Sequence, residues 1–399
     1  MNGDRKKRKV EKMQKKTITD TVKYVGVDDK TIDLFESQYV VPNGVSYNSY
    51  VILDDKVAVM DSVDLRAGTE WFSNLDEVLE GREPDYLVVN HLEPDHSGNI
   101  QNFMEKYPKA QLVLSVKAQS MLPQFFEMDM QERCMAVKEG DELNLGSHTL
   151  TFVMAPMVHW PEVMVTYEKN EKILFSADGF GKFGALDTEE DWACEARRYY
   201  FNIVGKYGMQ VQALLKKAAA LDIRIICPLH GPVLTENLSY YIDKYNTWSS
   251  YMPEEQGILI ACASIHGNTM KAAEKLAEML RAKGAPKVVV ADLAREDMAE
   301  VIEDAFRYDK MVLAGATYDA GIFPCMESFL SHLKSKNYQK RTVGIIENGS
   351  WAPIAGKIMK ETMTGMKEIT VLEPVVTIKS TLNADSTAAL EALCEALLQ

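Results

Sequence analysis

Residues 90–99, NHLEPDHSGN, set two histidines and two carboxylates within six positions, His91, Glu93, Asp95 and His96, directly behind the apolar run YLVV. Aspartate and glutamate are seldom buried without a partner, so four donors at the end of a buried strand point to a metal ion. Three more donors stand in the same relation to an apolar run: His159 after HTLTFVMAP, Asp178 after KILFSA and His230 after RIICPL. Strand ends of a layered sheet share one rim, which lets residues far apart in sequence line one pocket. Taken singly, His159 and His230 read first as hydrogen-bonded core histidines, and Asp178 before Gly179 as a turn former. The set from His91 to His96 has no such reading, because a turn needs one acid, and it draws the other three residues with it.

A different chemistry is written in CASIHGNTMKAAEKL, where Ser264, Ile265, His266, Gly267, Asn268 and Thr269 lie between a buried strand and the start of a helix. Hydroxyls and backbone N–H groups at such a junction, aided by the helix dipole, form an anion site without Lys or Arg. A phosphate fits it. Two further loops follow later strands of the same half, with Thr317, Tyr318, Asp319 and Ala320 in one and Asn348, Gly349, Ser350, Trp351 and Ala352 in the other. They lie where a flavin ring is expected, with Trp351 or Tyr318 as a flat partner and Gly321 and Gly349 letting backbone come close.

These sites need elements to carry them. The last 140 or so residues alternate apolar, β-branched runs (GILIACAS, KVVVADLA, KMVLAGAT, RTVGIIEN, PVVTIKS) with stretches of helical spacing such as NTMKAAEKLAEMLRAKG. Five such alternations predict a doubly wound parallel sheet in the flavodoxin-like order. The preceding part reads as short strands mixed with a few helices, and SSYMPEEQG, with Pro253, marks the break. The expected organisation is a disordered basic extension over 1–16, a metal-binding domain over 17–252 and a flavin domain over 253–399.

Composition narrows the partners. A chain of 399 residues, 46% hydrophobic and 26% charged, has ample core. Its formal net charge of -14 speaks against nucleic acid and anionic membranes, and no apolar run reaches the length of about 18 to 20 residues that a membrane span requires. The basic opening MNGDRKKRKVEKMQKK has no apolar stretch behind it and is not a secretory signal. The six cysteines include no C-x-x-C pair, which excludes a built-in rubredoxin or zinc ribbon, and a reducing cytoplasm is the expected compartment.

The motif HLEPDH resembles the H-x-E-x-D-H signature of the flavodiiron proteins, a branch of the metallo-β-lactamase superfamily whose hydrolases carry H-x-H-x-D-H. PMVHWPE, SADGFG and PLHGPV resemble the later ligand segments of that family, and the likeness runs from about residue 20 to the C-terminus. The phosphate loop resembles the T/S-x-T-x-N-T loop of flavodoxins, with His266 in place of the middle hydroxyl, where an imidazole N–H can donate instead. The resemblance implies a metallo-β-lactamase-like αββα sandwich followed by a flavodoxin-like domain. It also implies one iron on His91, Glu93 and His159, a second on Asp95, His96 and His230, Asp178 between them, and FMN.

Such proteins reduce dioxygen to water or nitric oxide to nitrous oxide. The resemblance extends to a head-to-tail homodimer and, as no rubredoxin follows Gln399, to an external electron donor such as rubredoxin or a flavin reductase. Three carboxylates and mixed imidazoles suit iron that cycles in valence, whereas a neutral histidine at position 93 would suit zinc and hydroxide. Two rivals remain at this stage: a zinc hydrolase fused to a flavodoxin, and a non-catalytic electron carrier. The Asp178–His230 stretch is shorter than in many relatives. Its ARRYYFN resembles a segment near the metals, so Tyr199 or Tyr200 either supplies a hydroxyl behind the ligands or simply packs a helix.

Overall fold

The computed structural model describes residues 17–399; the expected basic extension over 1–16 lies outside the described residues. Two compact units emerge. The first runs to Ala196 and resumes over Met209–Asp243, and the second comprises Arg197–Gly208 and Lys244–Gln399. Chain order would divide the molecule once near residue 252, whereas the contacts carry the segments 197–208 and 244–252 into the second unit.

The first unit is built on two sheets. One contains β1 (Val22–Tyr24), β2 (Tyr50–Ile52), β3 (Ala58–Met60), β4 (Tyr86–Val89), β5 (Gln111–Ser115) and β6 (Cys134–Val137), paired in that order. The first three strands are antiparallel and the last four parallel. The other contains β7 (Glu142–Asn144), β8 (Thr149–Met154), β9 (Met164–Glu168), β10 (Ile173–Phe175) and β11 (Ile225–Cys227), antiparallel except for the final pair.

Side chains alternate across a strand, so every second residue meets the facing sheet. Tyr50 and Ile52, Ala58 and Met60, Tyr86 and Val88 therefore share one apolar cluster with Leu150 and Phe152, Met164, Ile173 and Phe175. The intervening Val51, Val59, Leu87 and Leu112 are buried as well, as expected of strands covered on both faces. The helices Gly68–Leu79 and Ile100–Lys106 bury Trp71, Leu75, Phe103 and Met104. The architecture is the metallo-β-lactamase-like sandwich.

In the second unit β12 (Glu255–Ala263), β13 (Val288–Asp292), β14 (Tyr308–Tyr318) and β15 (Arg341–Asn348) are followed by a fifth strand in two pieces, β16 (Ile369–Val371) and β17 (Val376–Ile378). The order is β13-β12-β14-β15 with both pieces beside β15, all parallel, which is the flavodoxin-like 2-1-3-4-5 arrangement. β16 is the piece the apolar runs miss: none of its residues is fully buried, whereas β17 buries Val376 and Ile378. The helices Asn268–Ala282 and Ala384–Leu398 bury Ala273, Leu276, Leu280, Leu390 and Leu393 against Ile260, Val312 and Ile346. Among the described residues no helix is long and apolar enough to cross a membrane.

Candidate metal centre and flavin pocket

The loop after β4 turns at once into a short helix, Pro94–Ser97, with Glu93 as its N-cap and proline in the first turn, where a missing N–H costs nothing. Asp61, at the end of β3, holds this strand end in place: its carboxylate accepts Asn90 N–H and Asn90 Nδ2, both at 2.7 Å. Ser62 donates its backbone N–H at 2.9 Å and its hydroxyl at 2.7 Å to the His96 carbonyl. His159 sits on the turn between β8 and β9. Asp178 follows β10, and His230 follows β11, where its Nδ1 donates to the Ser46 carbonyl at 2.7 Å.

All seven residues expected from the sequence are brought together. His91, Glu93, His159 and Asp178 form one group, and Asp95, His96 and His230 another, each with donor atoms within 4.8 Å of one another. Glu93 Oε2 lies 3.3 Å from His91 Nε2 and 3.0 Å from His159 Nε2. Asp95 Oδ2 lies 3.3 Å from His96 Nε2 and 3.2 Å from His230 Nε2. Asp178 divides its oxygens: Oδ2 is 3.3 Å from both His91 and His159, while Oδ1 is 3.3 Å from His96 and 3.9 Å from His230. One carboxylate thus faces both groups.

Separations near 3 Å are what donors about 2.1 Å from a shared metal show when they stand roughly at right angles. The hydrogen-bond accounting points the same way. Both oxygens of Asp95, both of Asp178 and Nδ1 of His96 are buried with no hydrogen-bond partner among the described residues. Orphaned, buried acceptors are costly unless a cation satisfies them.

Burial by itself would push the histidines down and the acids up, but their mutual proximity prevails. Asp178 holds His91 well above its ordinary value, Asp95 raises His96, and Asp178 and Glu93 raise His159 to about 9. In return His91 holds Asp178 well below the carboxylate range, and His159 lowers Glu93. The pocket is therefore a set of compensating charges.

Residues the sequence reading passed over also shape this pocket. Asp61 is one. Glu162 is another, with Oε1 2.8 Å from His91 Nδ1; an acid three positions after the candidate ligand His159, within PMVHWPE, was the available signal. Glu36, on the turn between Leu34–Phe35 and Tyr39–Val40, is pushed up to about 7 by burial and by Glu93, and the neighbouring Phe35 ring stands edge-on to His230 at 5.4 Å. Of the two open readings for the tyrosines, Tyr200 takes the packing one, against Phe201, Tyr245 and Trp248 in the second unit. A third cluster, His148, Glu168 and Glu171, closes on itself: Asp54 lies 2.6 Å from His148 Nδ1, Thr21 Oγ1 3.1 Å from Nε2, and Glu168 accepts two backbone N–H groups.

In the second unit a cavity of about 600 Å³ opens at the C-terminal ends of β12, β14 and β15. It is lined by Ser264, Ile265, His266, Asn268, Thr269, Thr317 to Ala320 and Asn348 to Ala352, as expected, and also by Ala316, Ile354 and Ser380. Gly267 is not part of the lining. Its φ of +87° makes it the left-handed N-cap of Asn268–Ala282, and its N–H donates to Ser264 Oγ at 3.0 Å. Among the described residues no Lys or Arg lines the cavity.

Asp319 and Ala320, both left-handed, form the two-residue turn that pairs Tyr318 with Gly321. At Gly349 an added Cβ would lie 2.8 Å from Pro353 Cα, so crowding within the chain itself already requires glycine there. Asn348 accepts Ser380 N–H at 3.0 Å and donates to Ser380 O at 3.0 Å. Ser380 follows the fifth strand on the same edge, and the strand-end rule would have found it.

Known proteins bear on this pair of sites. Residues 45–231 match the family described as ODP family beta lactamase, and residues 259–372 match the flavodoxin domain. An uncharacterized protein of Methanocaldococcus jannaschii is 30% identical over 322 residues, covering 79% of this chain and 81% of its own. A nitric oxide reductase of Moorella thermoacetica is 29% identical, covering 91% of this chain and 92% of its own. The solved structure of rubredoxin oxygen:oxidoreductase from Desulfovibrio gigas is similar at a TM-score of 0.89 with 26% identity, over 96% of this chain and 98% of that one. A β-lactamase-like sandwich carrying a paired donor set, joined to a flavodoxin-like sheet, defines a two-domain metalloflavoprotein class. The chain belongs to the flavodiiron protein family and is an oxidoreductase of that family.

Proposed function

We propose that this oxidoreductase reduces dioxygen to water, nitric oxide to nitrous oxide, or both, at a pair of irons supplied with electrons through FMN. His91, Glu93 and His159 would hold one iron and Asp95, His96 and His230 the other, with Asp178 facing both donor groups. The observation that carries this reading is the divided carboxylate of Asp178, one oxygen toward each donor group. Three carboxylates balance much of the charge of two ferrous ions, and Glu93 supplies the anion that a zinc hydrolase would replace with neutral imidazole. The iron pair, when bound, stores two electrons and binds a diatomic gas, while the flavin accepts electrons in pairs and passes them on singly.

The chain's own residues define the rest. Asp61 and Ser62 fix the backbone of the ligand loop, Ser46 fixes the His230 ring, and Phe35 packs on that ring. In the other unit Ser264, His266, Asn268 and Thr269 cradle the FMN phosphate, and the loops around Tyr318 and Trp351 receive the ring. Electrons come from a separate carrier such as rubredoxin or a flavin reductase, and two chains pair head to tail so that flavin and irons come within electron-transfer range. The free cysteines fit a reducing cytoplasm.

The related nitric oxide reductase and rubredoxin oxygen:oxidoreductase support both gases. The test is metal and flavin analysis of protein produced with iron available, then anaerobic reduction and separate exposure to each gas while flavin and iron absorbance are followed over many turnovers. Two irons and one FMN per chain with turnover of either gas are expected. Zinc with hydrolytic turnover would overturn the reading.

A further inference from the structure

The metal pocket contains a buried carboxylate that none of the donor groups uses. Glu162 lies between β8 and β9 and is 2% exposed. Its Oε1 does double duty, 2.8 Å from His91 Nδ1 and accepting the Leu92 N–H at 3.0 Å, while Oε2 has no hydrogen-bond partner among the described residues. The Glu162 carbonyl accepts the Ser115 hydroxyl at 2.7 Å, which ties the turn to the end of β5.

Two of the other imidazoles, those of His230 and His96, are backed differently. His230 Nδ1 donates to a neutral carbonyl, that of Ser46, and His96 Nδ1 has no partner among the described residues. A carboxylate facing Nδ1 requires a proton there, which leaves Nε2 as the lone-pair nitrogen, the one that points at Glu93 and Asp178 at 3.3 Å. A charged acceptor also makes the ring a stronger donor to a metal than a neutral carbonyl does.

We propose that Glu162 is a positioning residue that makes the two metal positions electronically unequal: it locks His91 in the metal-binding tautomer and lends negative charge to the His91–Glu93–His159 side alone. The inference rests on the iron reading above. An iron on the His91 side is then the easier one to oxidise, and the first to be lost when its support is removed.

Because both hydrogen bonds fall on Oε1, glutamine can keep them with its carbonyl oxygen and place its amide nitrogen where Oε2 now stands unpartnered. Glu162→Gln therefore removes charge and leaves geometry, whereas Glu162→Ala removes both. Iron content per chain and the two midpoint potentials, followed by electron paramagnetic resonance during an anaerobic redox titration, are compared with wild type. Glu162→Gln should keep full iron with one potential shifted upward. Glu162→Ala should bind one of the two irons about 10- to 100-fold more weakly.

The potential decides. An unshifted pair of potentials in Glu162→Gln overturns the proposal whatever Glu162→Ala does, and that holds if the alanine variant fails to fold. Wild-type protein without two irons would sink the iron reading itself and is told apart before any variant is made.

Discussion

Replacing FMN by riboflavin perturbs one group only, the phosphate, and the loop Ser264–Thr269 gives the size of the effect. The first N–H groups of the 15-residue helix Asn268–Ala282 have no partner within it. The Ser264 hydroxyl already accepts the Gly267 N–H at 3.0 Å and so has its own proton to give. With no Lys or Arg in the lining among the described residues, affinity must come from these neutral donors and the helix dipole. Two or three hydrogen bonds to a charged acceptor, at about 2 kcal/mol each, amount to about 4–6 kcal/mol. At 1.4 kcal/mol per decade, riboflavin should bind about a thousandfold to ten-thousandfold more weakly than FMN. Flavin-free protein titrated with each compound, with the quenching of flavin fluorescence as signal, measures the ratio. Added salt should change the FMN affinity little, because no mobile side-chain cation is involved. A ratio within about tenfold would refute the assignment of this loop to the phosphate.

Other outcomes follow from the geometry. Asp178→Asn leaves the fold intact but should abolish stable binding of two irons, since one anion serves both donor groups at 3.3 Å; an unchanged iron count by elemental analysis would contradict the shared role. Gly349→Ala forces a Cβ to within 2.8 Å of Pro353 Cα and should weaken FMN binding about tenfold by moving the loop, read by the same fluorescence titration. Glu254 is driven up by burial but more strongly down by Arg197, Lys244 and Trp248, to about 2 from its ordinary 4.5. A carboxyl lowered on folding stabilises fully above its unfolded value and loses that contribution as pH falls toward 2, so at neutral pH it supplies at most about 3 kcal/mol. Glu254→Gln should lose most of this at pH 7 and show a flatter acid limb in urea unfolding between about pH 5 and 2; a variant as stable as wild type at pH 7 would rule out that ion pair as a stabiliser.

Much of the site was readable before any coordinates. The types and spacing of His91, Glu93, Asp95 and His96 are local facts, and a metal is the one economical reason to place four such donors behind YLVV. The five apolar runs of the C-terminal part likewise announced their parallel sheet, because alternation of strand and helix is a short-range pattern. The support around the ligands was less visible. Asp61 looks like an ordinary polar residue until the neighbour it bonds is known, and the roles of Glu162, Gly349 and Tyr200 depend on what packs against them.

By itself, then, the sequence determined the donor chemistry, the helical and strand periods and the phosphate loop, all of which act over a few residues. Only the tertiary structure decided that His96 and His230, 134 positions apart, bring their Nε2 atoms to 3.0 Å, and that the two oxygens of Asp178 part company between the donor groups. The physical reason is register. A one-residue slip in a strand turns its side chains to the opposite face, and register is set by the facing sheets packing their alternate residues into one core, which no single segment encodes alone.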